Sequence, residues 1–400
     1  MLDITSVWTS YETLLGYMLP FFFYLSPLVV ITAIWHIRLY LLRYNYIKSI
    51  DWVLLEIRMP QEISKSPVGM EVILSTMHQT GEGNLVDKFM KGKLRSWFSL
   101  EICSFGGTIH FYIRTDRKFR NLLESTIYAQ YPEIEIHEAE DYVHNIPFGL
   151  PGSTWDMWGT RLSLDKPDPY PIKTYIDYGL DKEEKDPVRS IDPLTPIIEF
   201  MGSIKPNEQV WMQIVVMAAR KKWKEEGEKI VNDIMKRDPK TKSSREKTEA
   251  GFPIIPSLSE GERDVIKAIE RAVGKLGFEV GIRTLYFGEP KIDKNNIAAI
   301  LGTIKQFNSQ NLNGFKRAED TSFDYPWQDF FGMRLARLKA RYFDAYRRRS
   351  YFFTPYVSPT FILNTEELAT IFHFPGGVSK TPTFERIMSK RAEPPSNLPI

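Results

Sequence analysis

One cysteine in 400 residues, Cys103, excludes an internal disulfide framework and any all-cysteine metal site. Net charge is nearly absent too. The chain carries 52 basic and 50 acidic side chains, a formal +2, so its overall charge gives no case for a polyanion binder. With 43% hydrophobic, 13% aromatic and 26% charged residues, it is neither a disordered chain nor a multi-span membrane protein. At roughly 150 residues per domain the length implies two or three domains.

Catalytic signatures are also missing. A P-loop needs Gly-Lys followed by Ser or Thr, so that amides, ammonium and hydroxyl converge on phosphate and magnesium. Gly92-Lys93 and Gly274-Lys275 are each followed by leucine, and Ser379-Lys380-Thr381 has serine and Phe374 where the two glycines belong. Gly81-Glu82-Gly83 lacks the third glycine of a dinucleotide fingerprint. His36, His78, His110, His137, His144 and His373 show no HExxH or other metal spacing, and no nucleophile elbow occurs. Cys103 falls on a strand position and reads as a small packing residue. The expectation is a non-enzymatic protein with no cofactor, metal or catalytic residue.

What is present begins at the front. Residues 13–37, TLLGYMLPFFFYLSPLVVITAIWHI, hold no Asp, Glu, Lys or Arg. As a helix they span roughly 37 Å, enough for a hydrocarbon core of about 30 Å. Residues 1–12 carry Asp3 and Glu12 but no basic residue, which argues against a cleavable signal. Arg38, Arg43 and Lys48 follow the run. The positive-inside rule then predicts a single-pass anchor in the cell membrane, with residues 1–12 outside and the rest cytoplasmic.

The remainder reads as α+β. Alternation at Val53–Met59, Phe98–Ile102 and Ile109–Ile113, with a Gly106-Gly107 turn, marks strands. Helical spacing occurs at Met70, Ile73, Leu74 and Met77 and again at Phe119–Ile127, before a strand at Ile134 and Ile136. This order predicts a ferredoxin-like βαββαβ unit over 51–142. The same order recurs over 143–320, with strands near Gly159–Leu164, Val210–Met217, Phe278–Tyr286 and Asn313–Ala318. Helices lie on Leu194–Met201 and Ile297–Ile304, and both units end in Ala-Glu-Asp (139–141 and 318–320). An insertion at 219–277 reads as a helical hairpin, with a Ser259/Glu262 capping box and a tip at 238–252 expected to be mobile. The Pro-rich stretch 165–196 reads as an irregular linker.

Residues 321–400 form a last region. Between Phe331 and Arg349 lie Arg334, Arg337, Lys339, Arg341, Arg347, Arg348 and Arg349 against one acid, Asp344, with aromatics interleaved. A helix there presents a basic face to phosphate, lipid headgroups or an acidic protein, or is a solvated face packed by its aromatics. Phe361, Leu363, Glu366, Leu368 and Phe372 are the candidate partner-docking residues, with Asn364 and Glu367 as a helix cap.

Three stretches carry a resemblance: LEIRMPQEISKSPVGMEVILSTMHQ from Leu55, WFSLEICSFGGTIHFYIRTDRKFRNLLESTIYAQYP from Trp97, and FILNTEELATIFHFPG from Phe361. They resemble the membrane-anchored N-terminal region, a domain of unknown function, of bacterial type IV secretion or conjugative-transfer ATPases of the HerA and coupling-protein kind. The closing segment TPTFERIMSKRAEPPSNLPI is similar to the linker that leads into the motor domain in fused members. The resemblance implies a membrane-anchored platform or accessory subunit for a translocating ATPase, the motor being either a separate chain acting in trans or lost by truncation, with a homo-oligomer as a further possibility. A membrane-tethered nucleic-acid-binding module is the alternative. No Walker residue carries over, because the chain stops where the motor would begin.

Overall fold

A computed structural model describes residues 4–60, 66–181, 192–220, 222–235, 259–323 and 325–375, with side chains of the first helix described from Phe23 onward. The expected tip at 238–252, residues 182–191 of the linker and the closing segment 381–400 lie outside these residues. The chain divides into two compact units: residues 1–50 with 82–94, and residues 51–81 with 95–400.

The first unit is built on α1 (Ile4–Ser49), 46 residues in one helix. It starts earlier and ends later than the apolar run, because nothing on either side breaks it. It is long and apolar enough to cross a membrane, and none of its candidate span from Phe23 to Ser49 is buried. The helix continues through Pro20 and Pro27. Pro27 has no amide to offer the Phe23 carbonyl, and Ser26 Oγ takes that place at 2.9 Å. Thr32 Oγ1 back-bonds to the Leu28 carbonyl at 3.0 Å. A short helix absent from the sequence reading, α2 (Leu85–Met90), is started by an Asn84/Asp87 capping box. It returns to α1, with Phe89 6.0 Å from the Trp35 ring and the Phe89 carbonyl accepting from Arg38. Leu85, Val86 and Met90 are left exposed.

The second unit is a nine-stranded, antiparallel sheet. Its first half is β1 (Trp52–Arg58), α3 (Val68–Met77), β2 (Trp97–Phe105), β3 (Thr108–Asp116), α4 (Arg120–Gln130) and β4 (Glu135–Glu138). Its second half is β5 (Asp156–Leu164), α5 (Thr195–Ser203), β6 (Glu208–Ala218), β7 (Gly277–Gly288), α8 (Lys294–Ile304) and β8 (Phe315–Asp320). Between β6 and β7, α6 (Lys222–Ile234) packs on α7 (Glu260–Val273) as the expected hairpin, and the Ser259/Glu262 box is formed. The strand order is β4-β1-β3-β2-β6-β7-β5-β8. Each half therefore repeats one order, fourth-first-third-second, and the halves join where β2 pairs β6 from Trp97↔Met217 to Phe105↔Gln209.

The Ala-Glu-Asp triplets do not mark equivalent places. In the first half the amide just past the ladder is Ala139, bonded to the Leu54 carbonyl; in the second it is Thr321, bonded to Gly159. The second triplet thus sits three residues early in the register.

Alternation along the strands supplies both faces. Phe98, Leu100 and Ile102 of β2, with Val210, Met212, Ile214 and Val216 of β6, face a helical layer that includes α3, α4, α5 and α8. Ser99, Glu101 and Cys103 point the other way, and they too are buried. The half-buried strands expected from alternation are covered on both sides. The cover on the second face is α9 (Met333–Arg347), the predicted basic helix, whose Phe343 and Tyr346 join Tyr112, Trp211 and Phe287 in one apolar cluster.

The C-terminal element corrects a second expectation. Phe361–Asn364 forms β9, which pairs β7 at Gly277–Val280, alongside the stretch where β5 pairs Arg283–Gly288. Thr365–Ile371 forms α10 behind the Asn364/Glu367 box and packs on α3. Phe361, Leu363, Glu366, Leu368 and Phe372 are all buried in this chain's own core. They are internal contacts rather than a docking face, because β9 completes a ladder that β5 is too short to fill.

Candidate interaction surface

The basic helix α9 has two fates for its charges, decided by which side each residue falls on. On the inner side, Arg349 follows the helix end at φ +48°, in the left-handed region where only glycine sits without cost. That turn carries its guanidinium inward, where it is fully buried. Its Nε and Nη2 donate to Glu101 at 2.9 and 3.0 Å, and Nη1 and Nη2 donate to Asp141 at 2.5 and 2.9 Å. Glu101 also accepts from Ser99 Oγ at 2.6 Å, Tyr142 Oη at 2.8 Å and Gln213 Nε2 at 3.0 Å. Glu101 and Gln213 face each other across the β2–β6 ladder, so this network sits on the seam between the halves.

Burial alone would raise the Glu101 carboxyl; the Arg349 charge, with hydrogen bonds from Arg349, Ser99 and Tyr142, holds it near 2. Burial, with the Glu101 charge adding to it, pushes the Cys103 thiol well up, so it packs as a neutral side chain, as expected.

Arg349 is therefore withdrawn as a polyanion contact. Lys339 is too, since its Nζ meets Asp156 at 2.6 Å and little of it is exposed. Arg347 is half-buried, its guanidinium near His144 and over the Phe343 ring. Four cations remain exposed: Arg334, Arg337, Arg341 and Arg348. Arg348 is tied to Asp344 at 2.8 Å, and Arg334 donates to the Gln328 carbonyl at 2.7 Å. Arg334, Arg337 and Arg341 recur at helical spacing along one stripe.

Sequence reading missed what lies beside that stripe. Trp327, Phe330 and Phe331 are 63%, 79% and 84% exposed, and Tyr325 stacks on Trp327 at 4.5 Å. The signal was available as consecutive aromatics, but sequence alone read them as packing. Isolated exposed apolar residues are ordinary, whereas Tyr325, Trp327, Phe330 and Phe331 expose four large rings within seven residues of chain.

Elsewhere a second buried acid is internally matched. Glu366 meets Arg271 at 3.0 Å and Lys275 at 2.9 Å, and Lys275 also reaches Glu71 at 2.8 Å. The histidines lie apart, for example His110 on Glu56 and His373 on Asp192. Among the described residues no three His, Cys, Asp or Glu side chains converge as a metal site.

Residues 48–386 match the family described as a domain of unknown function (DUF8128), and the chain belongs to that family. None of the curated proteins compared with it matches.

Proposed function

We propose that this member of the family is a non-enzymatic, single-pass membrane protein whose sheet unit is an assembly platform for a translocating ATPase supplied in trans. The observation that carries the reading is the exposed aromatic group Tyr325, Trp327, Phe330 and Phe331 beside the Arg334–Arg337–Arg341 stripe. Aromatic and arginine side chains are the residue types that dominate protein interface energetics. The identity of the partner rests on the sequence resemblance alone. A Trp327→Ser/Phe330→Ser/Phe331→Ser variant should keep its fold and lose co-purification with the motor. Wild-type protein that retains no ATPase in pull-downs sinks the platform reading. Deletions that probe the tail must begin after Pro375, since β9 and α10 are core.

In this reading α1 is the anchor, with its N-terminus outside and the sheet unit in the cytoplasm. The support is the uncovered apolar surface from Phe23 to Leu41, with Trp35 and Arg38 near its end. The exposed Leu85, Val86 and Met90 of α2 support the same boundary for that short helix. Cysteine-accessibility labelling at residues 5 and 45 tests the orientation; labelling of residue 45 from outside refutes it. We further read each half as a ferredoxin-like unit produced by duplication, supported by the shared strand order. A solved structure in which the two sets of four strands fail to superpose would overturn this.

A second reading has its own observation: stacking rings interleaved with arginines are the means by which single-stranded nucleic acid is held. Gel shifts at two salt concentrations discriminate. Binding that weakens with salt and is lost in Arg334→Glu/Arg337→Glu favours nucleic acid, and absence of any shift removes it.

A further inference from the structure

Under α9, beside the Glu101 network, where Arg283 lies opposite Gln213 across the β6–β7 ladder, a cavity of about 60 Å³ is lined by Arg161, Arg283, Glu319, Arg341, Tyr342 and Tyr351. One water needs about 10–15 Å³ of such space, so there is room for a group of several heavy atoms. Its polar lining is unfinished. Arg283, on the middle of β7, is only 4% exposed, and no carboxylate pairs with it among the described residues. Its Nη2 donates to the Ser350 carbonyl at 2.6 Å, while its Nε has no partner. Arg161 pairs with Glu319 through Nη2 at 3.1 Å, and its Nε is likewise unpartnered. The hydroxyl of Tyr342 lies beside Glu319 and that of Tyr351 beside Arg161, and each interacts with that neighbour.

Buried polar atoms left bare are costly, and two on one cavity imply something there with acceptor atoms. Charge narrows the choice. Glu319 offsets Arg161, leaving Arg283 inside and Arg341 at the mouth without an ion pair among the described residues. We propose that this cavity binds a compact oxyanion of the phosphate class, held by Arg283 and Arg161 with Arg341 at its mouth. The fork of each guanidinium suits the paired oxygens of such an anion better than water does. Separately, burial pulls the Arg283 guanidinium down to about 10, the direction expected of a cation lacking its counter-ion.

The test is thermal unfolding of the full chain in maltoside micelles, which carry no phosphate, at constant ionic strength. Inorganic phosphate replaces chloride stepwise. The melting temperature should climb with the logarithm of phosphate concentration in wild type and in a variant of the exposed Lys267 on α7, Lys267→Ala, and stay flat in Arg283→Met. No climb, or an equal climb in Arg283→Met, overturns the proposal. Should Arg283→Met not fold, Arg341→Ser at the exposed mouth should raise the half-saturating phosphate concentration about tenfold; an unchanged value also overturns it. Glycerol 3-phosphate, run in parallel, separates a lipid-headgroup source from free phosphate by which saturates first.

Discussion

Replacing Arg349 with methionine removes the cation that neutralises Glu101 and leaves the carboxylate with no exposure to water. Ser99, Tyr142 and Gln213 still donate to it, but none carries charge. Breaking a buried pair by deleting one partner costs about 3–5 kcal/mol. The lowered Glu101 carboxyl has the sign this requires, since burial raises it and the Arg349 charge outweighs burial. At roughly 2–4 °C per kcal/mol, the melting temperature should fall by about 6–20 °C. The sign of the pH dependence is a second readout. In wild type the folded carboxyl lies below its unfolded value, so its stabilisation is present above pH 4.5 and lost as pH falls toward 2. In Arg349→Met burial dominates, the carboxyl rises above 4.5, and stability should increase as pH is lowered from 7 to 5. Glu101→Gln/Arg349→Met should recover most of the loss, since Asp141 is part-exposed and stays hydrated. Fluorescence-monitored melting of the full chain at pH 5, 6 and 7 measures all three. A drop under about 2 °C with an unchanged pH profile would refute the reasoning.

Leu368→Ala should cost about 2–5 kcal/mol in a denaturant titration, as a core truncation does; a surface-like loss under 0.5 kcal/mol would return α10 to the docking reading. At Gly281 a Cβ would lie 2.2 Å from the Tyr351 ring, so Gly281→Ala should destabilise by about 1–3 kcal/mol and be partly rescued by Tyr351→Leu. Burial lowers the His373 imidazole, but the Asp192 charge and hydrogen bond outweigh it and raise it above 6.5. That stabilisation is complete below pH 6.5 and is lost as pH rises through the folded value, so His373→Gln should remove this decline from the pH–stability curve.

The strands and most helices were legible because each face repeats at a local period. Phe98, Leu100 and Ile102 announce a strand without help from distant residues. What those same residues hid was the other face. Ser99, Glu101 and Cys103 look like a solvent side until Arg349, 248 positions away, arrives to neutralise the acid. For the same reason Arg349 counted as one more cation in a basic run. Composition sees like charges adjacent in sequence and misses an opposite charge adjacent only in space. The apolar stretch from Phe361 read as a docking tail because its partner strand, β7, is separated from it by α8, β8 and α9. At six residues, α2 is too short for any periodicity to show.

The two ends of the sheet have a consequence at high local concentration. A long sheet with flat, bare margins would recruit the margin of its neighbour whenever copies crowd together. Here the two long strands that would make such margins, β2 and β6, are spent on each other. The strands at the two ends of the path are β4, four residues reading Glu-Ile-His-Glu, and β8, whose Lys316 and Arg317 are exposed. Short, charged borders resist backbone-to-backbone growth, so neighbouring copies are steered away from stitching their sheets together. Self-association is left to side-chain surfaces, where it can remain specific and reversible.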